Sequence, residues 1–173
     1  MSNEAEIRHI SRKYESFRLR DTNREKYLLQ SILEHGILKP LQCVRADDRK
    51  YRYVLLDGFK RLRCCYKLKL CMVPVVSLGT DEAGGILHLL RGSNERNLTT
   101  LEQARFVDQL YRRYGLSVAE IAGGLECSKA WVSVRLGMIG EMSQVVREAV
   151  FSDRFPLRSY MYTLRQFTRV NSI

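Results

Sequence analysis

The first half of the chain switches between helical and strand-type spacing of its apolar positions. Residues 24–36, REKYLLQSILEHG, repeat apolar residues at helical intervals and end in a glycine, which is typical of a helix C-terminus. Pro40 breaks any helix, and the apolar residues that follow it begin a strand. Residues 51–58, YRYVLLDG, predict the returning strand of a hairpin across the polar turn at 46–50.

A second helix and a further strand extend this pattern. Residues 59–70 return to the helical period, with Leu62, Cys65 and Tyr66 on the apolar side. Residues 71–78, CMVPVVSL, predict another strand. Together these segments predict an α+β domain in which helices pack on one small sheet.

The second half shows only helical spacing. Residues 99–115, TTLEQARFVDQLYRRYG, open on a threonine cap, carry apolar residues along one side, and close at a glycine. Further short helices are predicted after it. Because sheet-type patterning stops near residues 91–98, we expect a first domain over 1–92 and an all-α domain over 93–173.

Residues 116–139 have the layout of a helix-turn-helix. Ser117 and Ser128 are placed to cap its two short helices, on either side of a GLECS turn. Ala122 and Val132 lie ten residues apart, at the spacing that lets such helices cross closely. In this motif the second helix enters the major groove of double-stranded DNA. The candidate DNA-binding residues are therefore Ser117, Ser128, Lys129, Ala130, Ser133 and Arg135.

Other readings of this segment stay open. A helical hairpin with no role in DNA binding has the same apolar pattern. Trp131 suits either the core or a DNA contact. Arg112 and Arg113 suit either solvent or phosphate, and the sequence does not separate the two.

The charge of the chain favours an anionic partner. The 173 residues carry a formal net charge of +10 with a pI near 9.6. Residues 1–90 hold 17 Lys and Arg against 11 Asp and Glu (+6), and residues 91–173 hold 12 against 8 (+4). Both halves are basic, which is typical of proteins that bind phosphate-bearing partners. No apolar run has the roughly 20 residues of a membrane span, and the N-terminus lacks the apolar core of a signal peptide, so we expect a cytoplasmic protein without membrane contact.

The residues that usually hold metal or act as nucleophiles are scattered. The five cysteines are odd in number and form no CxxC pair, and the three histidines share no spacing, so no metal site is predicted. A nuclease would need clustered carboxylates or histidines, whereas Asp57 stands alone. No catalytic residue is identified by this pattern, and nuclease activity is not expected.

The stretch YVLLDGFKRLRCC, residues 53–65, leads from an apolar strand through Gly58 directly into Lys60, Arg61 and Arg63. Glycine lets a backbone approach a ligand closely, and the first turn of a helix offers unpaired N–H groups. The segment is therefore either a phosphate site or a solvated basic helix face with Gly58 as a turn residue.

The order of these segments resembles that of the ParB family. SILEHGILKPLQCVR is similar to the opening box of its N-terminal domain, and LLDGFKRLRCC to its second box, G-E-R-R-x-R-A. VPVV matches the strand that follows, and KAWVSVRLGMI is similar to the recognition-helix segment. The resemblance covers residues 18–170 and includes a tail like that of a plasmid- or transposon-borne branch. Such proteins usually carry a further C-terminal dimerisation region, so we expect a fragment or a short form.

The resemblance implies a small ParB/sulfiredoxin-like sheet with helices, followed by a helix-turn-helix domain. It implies a DNA-segregation protein that acts as a CTP-gated clamp on DNA, with Mg²⁺ bound through the nucleotide and slow CTP hydrolysis. It also implies a homodimer formed through the N-terminal domain and a ParA-type ATPase partner. The nucleotide-binding residues carried over by motif are Gly36, Pro40, Gly58, Lys60, Arg61, Arg63, Asn94 and Arg96.

This chain departs from the family at three places. Phe59 stands where the second box has Glu, and Lys60 where it has Arg, although a lysine does not reproduce the bidentate fork of an arginine. The third box, E-N-x-x-R, is only partly matched by RGSNERNL at residues 91–98. An alternative is therefore a nucleotide-independent DNA-binding adaptor or transcriptional regulator of a mobile element. In sulfiredoxin the second box carries a catalytic cysteine, which this chain lacks, so that chemistry is not expected.

Overall fold

The computed structural model describes residues 3–46, 48–93, 97–152 and 154–164. The chain divides into two compact units. The first unit consists of Met1–Glu15 and Asp21–Leu89, and the second of Ser16–Arg20 and Leu90–Ile173. In the described residues, no helix is both long enough and apolar enough to cross a membrane.

The first unit is built on a five-stranded mixed sheet. Its strands are β1 (Asn3–Glu6), β2 (Ile10–Ser11), β3 (Leu41–Arg45), β4 (Tyr53–Asp57) and β5 (Met72–Ser77), in the spatial order β1-β5-β3-β4-β2. β3 and β4 pair antiparallel, so the predicted hairpin is confirmed. β3 also pairs parallel with β5. β3 is thus interior to the sheet, and its residues Leu41, Cys43 and Val44 are fully buried.

The sequence pattern did not predict the two N-terminal strands. β1 pairs antiparallel with β5, and β2 pairs parallel with β4. Both occupy the edges of the sheet, where they need little apolar surface and leave only a weak alternating pattern. Only Ala5 of β1 and Ile10 of β2 are buried.

Three helices accompany the sheet: α1 (Thr22–His35), α2 (Phe59–Lys67) and α3 (Glu82–Arg91), whose last two residues belong to the second unit. Asp21 caps α1 by accepting a hydrogen bond from the Arg24 N–H, and Gly36 ends it with φ 71°. Phe59, in the place of the family's glutamate, is buried on α2. A Cβ on Gly85 would lie 2.1 Å from Cγ1 of Val44, so glycine allows α3 to approach the sheet closely. The α+β character of this unit is confirmed.

The described part of the second unit is helical. It contains α4 (Thr100–Arg112), α5 (Val118–Leu125), α6 (Lys129–Gly140) and α7 (Gln144–Phe151), followed by a helical turn (Leu157–Ser159) and a π-helix (Tyr160–Leu164). Thr99 and Glu102 form a capping box at the start of α4. α6 packs against both α4 and α5. The core of this unit is made of fully buried side chains, which include Leu101, Ala104, Phe106, Val107, Leu110, Ile121 and Val132.

Candidate nucleotide and DNA sites

The turn between β4 and α2 is shaped by Gly58. Gly58 has φ 107° and ψ 17°, a backbone conformation that residues with a side chain rarely adopt. A Cβ at this position would lie 3.0 Å from Cγ of Leu41 and 3.2 Å from Nη2 of Arg61. The missing side chain therefore makes room for these two neighbours as well as allowing the turn.

Arg61 joins this turn to the segment that precedes β3. Its Nη1 donates to the carbonyl oxygens of Lys39 (2.6 Å) and Pro40 (2.8 Å), and its Nη2 donates to Oδ2 of Asp57 (2.8 Å). The side chain is only 17% exposed. Pro40, Gly58 and Arg61, all predicted nucleotide-binding residues, are thus brought together, with the guanidinium bonded to protein acceptors.

Arg63 points to another side of α2, because two residues along a helix correspond to a rotation of about 200°. Its Nη1 donates to Oε1 of Glu15 (2.8 Å), and its Nε donates to Oε1 of Glu25 (2.9 Å), which also accepts from Nη2. Glu25 is 8% exposed. Arg61 and Arg63 therefore do not converge on one point in this structure.

The charges around Arg63 balance one another. Burial raises the pKa of Glu15, but hydrogen bonds from Arg63 and Arg12 outweigh it, so the pKa lies below its usual value. Burial lowers the pKa of Arg63, but hydrogen bonds to Glu25 and Glu15 outweigh it, so this pKa is raised. Neither carboxylate was predictable as a partner from sequence spacing, because each lies far from Arg63 along the chain.

The remaining predicted nucleotide residues are more dispersed. Gly36 lies at the end of α1, where its N–H donates to the Ile32 carbonyl. Lys60 is half-buried in the first turn of α2. Asn94 and Arg96 lie outside the described residues. Within the described ranges, no group of three or more His, Cys, Asp or Glu side chains is arranged to hold a metal ion.

The helix pair α5–α6 is fixed by caps at both helix starts. Ser117 and Glu120 form a capping box, with the Glu120 N–H donating to the serine hydroxyl at 3.2 Å and the Ser117 N–H donating to the glutamate at 2.8 Å. The hydroxyl of Ser128 accepts from the Trp131 N–H at 3.1 Å. Between the helices, Glu126 has φ 57°, and the Cys127 N–H donates to the Ala122 carbonyl. The two predicted caps are confirmed.

Four side chains of α6 form an exposed surface. Lys129, Ala130 and Ser133 are exposed, as predicted for DNA-facing residues. Val134 is also exposed (54%), although it is not among the predicted DNA-binding residues. We call these four residues the exposed α6 face. Apolar patterning did not single out Val134, because valine is usually assigned to a core.

Arg135 is turned toward α4. Its Nη2 and Nε donate to Oε1 of Gln103 at 2.7 and 3.1 Å, and its Nη1 donates to the Trp131 carbonyl at 3.3 Å. The guanidinium carbon lies 3.3 Å from the centre of the half-buried Trp131 ring. Burial lowers the pKa of Arg135. Of the six predicted DNA-binding residues, Arg135 is thus held by contacts within the second unit rather than on the exposed α6 face.

Comparison with known proteins finds similar sequences among chromosome-partitioning proteins. The chain is 26% identical over 121 residues to a probable chromosome-partitioning protein ParB from Borreliella burgdorferi, which covers 69% of this chain and 45% of that protein. The chain spans about half the length of the curated relatives it matches. No family model matches it.

A solved ParB-N domain structure has the same fold. The structure of a pNOB8-like ParB-N domain in its C2221 form has a TM-score of 0.54 and 13% identity, and the match covers 98% of this chain and 96% of that one. A C-terminally truncated ParB from Caulobacter crescentus, complexed with CTP-γ-S, matches with a TM-score of 0.45 and 20% identity, covering 98% and 92%.

Proposed function

Because this chain belongs to the ParB family, we propose that it binds a specific double-stranded DNA site through its helix-turn-helix and acts in DNA segregation. The observation that carries the proposal is the exposed α6 face on a helix pair with capped starts. A second helix presented in this way is the element that enters the major groove in helix-turn-helix proteins.

The charge of α6 supports a nucleic acid partner. α6 contains Lys129 and Arg135 and no carboxylate, and residues 91–173 carry a net charge of +4 (12 Lys and Arg against 8 Asp and Glu). Lys129 lies in the first turn and is exposed, so its ammonium can reach a phosphate beside the groove. Ala130 and Ser133 are short, so they leave the helix free to approach base edges.

The test separates phosphate contact from base reading. Lys129→Ala should weaken binding to all duplex sequences by a similar factor and reduce the slope of log affinity against log salt by about 1. Lys67→Ala, an exposed lysine of the first unit, is the control and should leave both unchanged. Fluorescence anisotropy over a salt series measures both quantities. Equal salt slopes for wild type and Lys129→Ala would contradict the assignment of Lys129, and no sequence preference would contradict the proposed function.

A second element of the proposal is CTP, with Mg²⁺ bound through the nucleotide, in the first unit. The resemblance assigns the phosphates to Gly36, Pro40, Gly58, Lys60, Arg61 and Arg63, with Asn94 and Arg96 of the third box. The start of α2 supports part of this set: its N-cap is a glycine, which supplies no side-chain acceptor for the first N–H groups, and Lys60 lies in the same turn. CTP in this position would gate closure of a homodimer around DNA, with slow hydrolysis reopening it and a ParA-type ATPase as partner.

A second candidate function is a DNA-binding adaptor that needs no nucleotide. The contacts of Arg61 and Arg63 favour it, because both guanidinium groups donate to protein oxygens. A triphosphate would reach either arginine only by replacing one of those acceptors. In the arrangement observed, the start of α2 has no side-chain cap, whereas the guanidinium groups of Arg61 and Arg63 are already bonded to protein oxygens. A CTP titration distinguishes the two candidates.

A further inference from the structure

Val134 is an exposed apolar side chain within a regular helix. It is 54% exposed in the middle of a 12-residue helix whose other valine, Val132, is fully buried. Burial of a valine side chain stabilises a fold, so an exposed valine on a short helix forgoes that stabilisation. Helix propensity does not favour valine at this position either, because valine is a weaker helix former than alanine.

The neighbours of Val134 define what can approach it. Ala130 precedes it by four residues and Ser133 by one, and both are exposed and short. Gly137 follows by three residues, and a Cβ built on it would meet nothing nearer than Oε1 of Glu141 at 3.8 Å. Positions three and four apart share one helix face. Val134 is therefore flanked by short side chains at these positions, and Trp131, three residues before it, is half-buried.

The arginine that would otherwise read a base is directed elsewhere. Arg135 donates to Gln103 and to the Trp131 carbonyl, and its guanidinium stacks on the Trp131 ring. Gln103 is 7% exposed, which places these contacts inside the second unit. Arg135 therefore acts as a positioning residue that ties α6 to α4.

We infer that Val134 is a specificity-determining residue that contacts the C5-methyl group of a thymine in the major groove. This inference rests on the proposed DNA-binding function. The occupant is DNA because Lys129 is exposed on the same helix and α6 contains no carboxylate, so the charge of this surface is complementary to phosphate. In the major groove, the thymine methyl is the apolar group of the base edges, and apolar side chains recognise it by contact.

The test replaces thymine by uracil, which differs from it only by that methyl group. A duplex is first selected from a random-sequence pool with the wild-type chain, and each thymine of the selected site is then replaced in turn. At one or more positions, uracil should weaken wild-type binding about fourfold, the equivalent of one buried methyl-sized group. Val134→Ala should bind the thymine and uracil duplexes equally at that position. Val145→Ala, at another exposed valine (76%) on α7, should keep the fourfold difference.

The possible outcomes distinguish failure of the proposed DNA-binding function from failure of the inference about Val134. Failure to select any duplex contradicts the proposed function itself. Selection of a site that is insensitive to uracil at every thymine overturns the inference and leaves the proposed function standing, as expected if Val134 contacts a protein instead. A uracil penalty that is the same in Val134→Ala and wild type also overturns it. Each comparison uses two duplexes with one protein, so a change in the folded fraction of a variant cancels.

Discussion

Replacing Arg61 with alanine tests whether this side chain is a structural link in the first unit. The variant loses bonds to the carbonyls of Lys39 and Pro40 and to the carboxylate of Asp57. A hydrogen bond to a charged group contributes roughly 1.5–3 kcal/mol. If water takes over both bonds to the carbonyls, only the bond to Asp57 is lost, which costs about 1.5 kcal/mol. If water takes over neither, all three bonds are lost, and at about 1.5 kcal/mol each they cost about 4.5 kcal/mol. Since the side chain is 17% exposed, we expect a loss of roughly 2–4 kcal/mol in the free energy of unfolding.

The chain offers a matched control for this variant. Arg112 also pairs with an aspartate four residues earlier, Asp108, at 2.7 Å, but its side chain is 66% exposed. The Asp108 side chain is only 11% exposed, but the arginine lies mostly in water, so the pair contributes roughly 0.2–1 kcal/mol. Urea unfolding followed by far-ultraviolet circular dichroism should therefore show a large midpoint shift for Arg61→Ala and a much smaller one for Arg112→Ala. Equal small shifts for the two variants would refute the assignment of Arg61 as a structural link.

Three further predictions concern the same framework. Gly58→Ala should lower the free energy of unfolding in urea by roughly 1–3 kcal/mol, because Gly58 has a positive φ. The control, Gly123→Ala inside α5, has nothing within 4 Å of the added Cβ and should raise stability by about 0.5–1 kcal/mol. A Gly58→Ala variant as stable as the wild type would contradict the close packing described at this turn. Because the pKa of Glu15 is lowered in the folded protein, its carboxylate stabilises the fold at pH values above the unfolded pKa of 4.5, and this stabilisation is lost as the pH falls through the folded pKa. Glu15→Gln should therefore make stability fall less steeply with decreasing pH. An unchanged acid limb of the pH–stability curve would contradict this. Iodoacetamide added to the native protein should modify the exposed Cys71 but not Cys43, because Cys43 is buried and burial raises its pKa to about 12. Peptide mass spectrometry detects the modified residues, and equal labelling of both cysteines would contradict this prediction.

Local patterns were enough to predict several elements of the structure. The hairpin of β3 and β4 follows from two short apolar runs on either side of a polar turn. The caps at Ser117 and Ser128 follow from hydroxyl side chains placed immediately before helical periods. In each case the partners lie within a few residues or across one short turn, so sequence spacing carries the information.

Contacts between distant residues were not predictable in the same way. The partners of Arg61 lie 21 and 22 residues away, and Glu25 lies 38 residues from Arg63. Nothing in a helical period indicates that an arginine will bond to backbone carbonyls of another segment. The orientation of Arg135 was missed for a related reason: patterning assigns arginine to the exposed side, whereas Gln103 and the Trp131 ring supply partners that hold it inward.

The most direct test of a nucleotide-gated DNA-binding protein is calorimetric titration of CTP in Mg²⁺, with ATP and GTP as controls, in the absence and presence of the selected duplex. The proposed function predicts saturable binding of CTP alone, weakened in Lys60→Ala and unchanged in Lys67→Ala at the other end of α2. These lysine variants avoid Arg61 and Arg63, whose loss would remove contacts within the first unit. Absence of heat with every nucleotide, with and without DNA, would contradict CTP gating and leave a DNA-binding adaptor of the ParB fold.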